Sequence, residues 1–97
     1  MPGRYDATLC VATVASAPPS CGPIEFDMTS ASTARLRVAD IVYQLALHTN
    51  KLDVVTMHGA MQIDEFTAPY AWQGEELAFI DADKGVRYTV RVGKRRR

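Results

Sequence analysis

Ninety-seven residues, 47% hydrophobic and 23% charged, describe one ordinary globular domain with a modest core and no disordered bias. No apolar run approaches the ~20 residues that a membrane-crossing helix needs. The formal net charge of zero conceals a strong asymmetry. Residues 84–97 hold seven of the eleven basic side chains and no acidic one, while residues 1–83 keep four basic and all eleven acidic ones. The C-terminal stretch is therefore +7 and the rest −7, which points to association with a polyanion, a basic partner or another copy.

In chain order, residues 7–16 alternate loosely around Leu9, Val11 and Val14 and read as a first strand. Arg4, the apolar stretch and Ala15-Ser16-Ala17 imitate a secretory leader, but Asp6 and the interspersed threonines argue for the strand instead. The proline-rich stretch 17–23 reads as a loop. Cys10 and Cys21 are the only cysteines; with no zinc-type spacing, a disulfide between them is geometrically possible but not implied, and they read as reduced thiols in a strand and a loop, consistent with a cytoplasmic, intracellular protein. Ile24, Phe26 and Met28 alternate with Glu25 and Asp27, a second strand with one wet face.

The main helix is expected over 34–49. Val38, Ile41, Val42, Leu45 and Ala46 fall at helical spacing, Ser32 or Thr33 serves as N-cap and Asn50 as C-cap. Residues 52–58 form the next strand, Gly59-Ala60 a tight turn, and 61–63 a short strand. Residues 64–72, with Pro69, read as an irregular crossing segment. Residues 77–81 and 86–92 are the last strands, joined by a hairpin loop at 81–85. In the final one Val86, Tyr88, Val90 and Val92 share one face and Arg87, Thr89 and Arg91 the other. The domain is expected to span 1–93, with 94–97 a basic tail.

These elements predict an α+β fold, one helix on a four- to six-stranded mixed or antiparallel sheet. Residues 38–45 (VADIVYQL), 54–63 (VVTMHGAMQI) and 74–80 (GEELAFI) follow in an order that resembles the β-grasp of ubiquitin-like, sulfur-carrier and TGS domains. The resemblance implies a hairpin, a helix packed across the sheet, then further strands. The carrier chemistry of that family does not come with it, because the chain has no Gly-Gly whose carboxylate an enzyme would activate.

Candidate sites are few. His48 and His58 have nearby acids (Asp40, Asp53, Asp64) but no ligand spacing, so no metal and no cofactor are expected. Neither the paired carboxylates nor any serine sits in a catalytic motif, and no glycine-rich phosphate loop occurs, so the chain is read as not an enzyme. Lys84, Arg87, Arg91, Lys94, Arg95, Arg96 and Arg97 form a strip suited to an acidic partner or a nucleic-acid backbone. Asp64, Glu65, Phe66, Tyr70, Trp72, Glu75 and Glu76 form an acidic-aromatic surface suited to protein docking.

The function expected is a small non-catalytic adaptor or assembly subunit binding protein through a sheet edge and that surface; a virus or phage component would fit. Self-association is a further expectation. One alternative is a nucleic-acid-binding accessory protein using the basic C-terminus, and another a ubiquitin-like modifier or sulfur-carrier relative. Residues 86–92 pair either within the chain or as an arm donated to a neighbour.

Overall fold

The computed structural model describes residues 3–13 and 18–96. Within them the chain forms nine strands and no helix: β1 (Gly3–Thr13), β2 (Ser20–Met28), β3 (Thr33–Val38), β4 (Ile41–Leu47), β5 (Leu52–His58), β6 (Met61–Ala68), β7 (Tyr70–Gln73), β8 (Glu76–Asp81) and β9 (Val86–Arg96). All pairings are antiparallel, and one sheet runs β6-β5-β4-β3-β2-β1-β9-β8-β7. It curls until its two ends approach, giving a nearly closed barrel. The α+β expectation is overturned, and with it the resemblance to the ubiquitin-like β-grasp.

The physical reason lies in residues 34–49, where two periods coexist. Val38, Ile41, Val42 and Leu45 fit a helical stripe, but Ala34 and Leu36 are buried while Arg35 and Arg37 are exposed, a strand alternation. The β-branched residues settle the choice toward β3 and β4. Val38 pairs with Ile41, so Ala39-Asp40 is a two-residue hairpin turn, with Ala39 at φ 53°. The turns Gly59-Ala60 and Gly74-Glu75 have the same form, each with its glycine at φ 62°. A left-handed first residue matches the twist of the flanking strands.

Interior residues alternate with solvent-facing ones along β2, β3, β5 and β8. Leu36, Leu52, Val54, Leu77 and Val90 are fully buried, with Phe26 and Phe79 beside them. The face expected for β9 is observed: Tyr88 and Val90 point in, Arg87 and Arg91 out. The strand is longer than expected, because Lys94, Arg95 and Arg96 continue it instead of forming a tail. It pairs within its own chain on both sides, with β1 and β8, so it is neither a donated arm nor an edge.

Cys10 and Cys21 lie directly opposite in the β1–β2 ladder, Cα atoms 4.1 Å apart, and are joined by a disulfide. The expectation of free thiols is corrected, and the cytoplasmic reading loses the support it drew from them. Register explains the difference: β2 begins at Ser20, which brings Cys21 out of the expected loop and into the ladder. Pro23 is tolerated because β3 pairs only with Glu25–Met28, leaving that side of β2 without a ladder at Pro23. The leader-like Ala15-Ser16-Ala17 and Arg97 lie outside the described residues.

Candidate functional site: the barrel seam and the basic strand

Pro69 alone separates β6 from β7. Lacking an N–H, it interrupts what would otherwise be one strand. The first part, β6, pairs with β5, and the second, β7, with β8. The bent segment therefore belongs to both ends of the sheet, and the seam lies where β6 faces β8 and the β8–β9 loop. The segment expected to be irregular is in fact what closes the barrel.

Side chains bridge the seam. The Lys84 ammonium donates to Asp64 Oδ2 at 2.5 Å. That hydrogen bond holds the Asp64 carboxyl below its ordinary range and raises the Lys84 ammonium above its own. Beneath it, Phe66 of β6 stacks on Tyr88 (centroids 5.9 Å), and Tyr88 stacks on Phe79 (5.0 Å). Tyr43 meets Tyr88 edge-on at 5.9 Å. Asp81, 2% exposed, accepts a hydrogen bond from the Lys84 backbone N–H. Burial pushes the Tyr88 hydroxyl up to about 12, reinforced by Tyr43, Asp81 and Asp64; burial, then Asp64, also raises Tyr43.

The expected docking residues gather around this seam but play different parts. Asp64 is tied to Lys84, and Phe66 belongs to the core stack. Glu65 is exposed on the outer face, opposite Val55. The Tyr70 hydroxyl donates to the His48 carbonyl. Trp72 is 43% exposed on β7. Glu75 is exposed in the β7–β8 turn, and its carbonyl accepts the Val92 N–H at 2.8 Å. Glu76 pairs with Arg91 at 3.5 Å.

The basic residues are likewise divided. Arg87 and Arg91 share the outer face of β9, as their alternation predicted. Lys84 and Arg91 are each matched by a carboxylate. Arg95 lies against Gly3, at one end of the barrel, and Arg96 pairs in register with Arg4. The fold also assembles a charged outer groove that the sequence did not reveal, lined by Arg4, Glu25, Asp27, Arg35 and Arg37 with Val42. These come from four strands, so only the register places them together.

His48 and His58 sit at different places on the sheet. His48 Nε2 lies 3.0 Å from Asp53 Oδ2, and the Thr67 hydroxyl donates to Asp53 Oδ1 at 2.7 Å. These bonds, Thr67 first, hold the Asp53 carboxyl low. The carboxylate stands between the hydroxyl and the imidazole, so this is not the nucleophile–base contact of covalent catalysis. Among the described residues no group of three metal-ligating side chains occurs, and no helix is long and apolar enough to cross a membrane.

Two residues missed by the sequence reading stand out on β6. Met61 is 66% exposed and Ile63 51%. A bulge between Thr56 and Met57 of β5 leaves Ile63 as the extra residue of β6, between Gln62 and Asp64. No family model matches the chain, and no curated protein or solved structure shows significant similarity to it.

Proposed function

We propose that the chain is a non-catalytic adaptor or assembly subunit that binds another protein by strand addition along β6. One observation carries this reading: β6 ends the sheet, with a ladder to β5 only, and exposes Met61 and Ile63 there. A strand edge of this kind supplies backbone donors and acceptors, while apolar side chains add contact area. Glu65 stands exposed beside the edge, which favours an extended partner segment combining apolar and basic residues.

Selection of extended peptides from a displayed library tests this. Apolar-basic sequences should emerge and slow hydrogen exchange at the amides of residues 61–65. The variants Ile63→Lys and Gln62→Pro should abolish selection while the protein stays folded. Protection falling elsewhere on the barrel would refute the reading.

A nucleic-acid contact through Arg87, Arg91 and Lys94 is the second reading, supported by the shared outer face of the first two. It is weaker, because Glu76 and Asp64 already neutralise Arg91 and Lys84. It requires an affinity for labelled single-stranded DNA that falls steeply with salt.

A further inference from the structure

One end of the barrel is open. There Tyr5 of β1, Phe26 and Met28 of β2, Trp72 of β7 and Val92 of β9 line a cavity of about 290 Å³, with Gly74, Glu75 and Gly93 at its margin. Phe26, 2% exposed, forms the floor, and its ring centroid lies 6.3 Å from that of Tyr5, the planes inclined at 55°. Trp72 faces inward, in register with the fully buried Leu77, yet remains 43% exposed at the rim. The β7–β8 turn that carries Glu75 is fastened to β9 by the Val92 N–H to Glu75 carbonyl bond. The cavity thus has three aromatic walls on strands that the sheet holds in place, and barrel mouths of this character commonly take small ligands.

We propose that this mouth binds a small aromatic molecule that carries no negative charge. Ring walls set at an angle present both faces and edges for packing. The Glu75 carboxylate at the margin opposes an anion. Glu75 also offers an acceptor to a ring N–H or O–H donor. The volume stands at the low end of ligand cavities, about 300 Å³, which suits one or two rings. The site is separate from the β6 edge and does not depend on the adaptor reading.

Indole is a suitable probe, titrated into isotope-labelled protein and followed by amide and indole N–H resonances. Trp72 is the only tryptophan, so its side-chain N–H is an unambiguous reporter. Saturable shifts are expected at Trp72, Gly74, Val92 and Gly93. Binding should weaken about tenfold in Trp72→Ala, read from the remaining amides, and stay within about twofold in Ile63→Lys. Benzoate, an anionic counterpart, should bind at least about tenfold less tightly than indole. Should Trp72→Ala fail to fold, Trp72→Phe should retain the binding that Trp72→Lys loses. Shifts scattered over the outer surface, no saturation, or equal binding by benzoate would overturn the proposal.

Discussion

The Lys84 ammonium meets the Asp64 carboxylate across the barrel seam, joining the β8–β9 loop to β6, where no ladder connects them. Both groups are solvent-facing, so the contact is sensitive to screening. Lys84→Met is expected to lower the thermal midpoint modestly at low salt and by less at high salt. The exchanged pair Asp64→Lys with Lys84→Asp should recover most of the loss. The lowered Asp64 value means that its contribution is present above the ordinary carboxylate value of 3.8 and is lost as pH falls through the folded value. The raised Lys84 value means that its contribution is present below 10.5 and is lost as pH rises through the folded one. A stability profile of the Lys84→Met variant that matches the parent at every salt concentration would remove the bridge from the account.

Tyr88 sets the alkaline limit. Its hydroxyl titrates near 12 in the folded chain and near 10.0 when unfolded, so between those values the unfolded state releases the proton first. Stability should fall there by up to about 1.4 kcal/mol per pH unit. Tyr88→Phe should flatten this fall, leaving the smaller share due to Tyr43. Urea unfolding at a series of alkaline pH values, with tyrosinate absorbance as a second probe, measures it.

Ala39 occupies a left-handed position that its two sister turns fill with glycine. Ala39→Gly should therefore stabilise the protein by about 0.5–1 kcal/mol, the relief of the Cβ clash exceeding the entropy that glycine loses. A destabilised variant in urea would contradict the β3–β4 hairpin.

Gly93 packs against β1 so closely that a Cβ would lie 2.8 Å from the Asp6 carbonyl oxygen. The register shift between Tyr5 and Ala7 creates this approach, because two residues of β9 span the place of Asp6. The obstacle is backbone, which cannot rotate away. Gly93→Ala should cost about 1–3 kcal/mol in urea unfolding. A neutral result would mean that the bulge relaxes freely.

The Cys10–Cys21 disulfide closes a short loop within a hairpin. Replacing both cysteines with serine should cost about 2–3 kcal/mol by loop entropy, less whatever the β1–β2 pairing already restrains in the unfolded chain. Denaturation of the oxidised parent against the double variant measures the difference. Intact mass under non-reducing conditions checks the bond itself.

Much of this architecture was legible where one period dominated. The clean alternation of 86–92, the β-branched run 52–58 and the turn at Gly59-Ala60 all appear as read. Residues 34–49 misled because Val38, Ile41, Val42 and Leu45 satisfy a helix and a hairpin at once, and the turn between them is Ala-Asp, without the glycine that marks the two-residue turns at Gly59-Ala60 and Gly74-Glu75. Residues 64–72 misled because Pro69 broke the pattern of a strand that changes partner midway. Phe66 looked like an interface residue, and only its neighbours Phe79 and Tyr88, thirteen and twenty-two positions away, reveal a core role.

By itself the sequence determined the opposed charge of its two parts, the inward and outward faces of β9, and which two sulfurs were available to pair. These depend on residue type and local period alone. The tertiary structure decided what those residues meet. Antiparallel register set Cys10 opposite Cys21 and Arg91 beside Glu76, strand pairing placed β9 inside the sheet between β1 and β8, and barrel closure set Lys84 against Asp64. Closure of the barrel set the β6 edge at the seam and assembled the aromatic mouth from strands distant in the chain. Such contacts arise from the pairing of whole strands, a cooperative choice that no short window of sequence encodes.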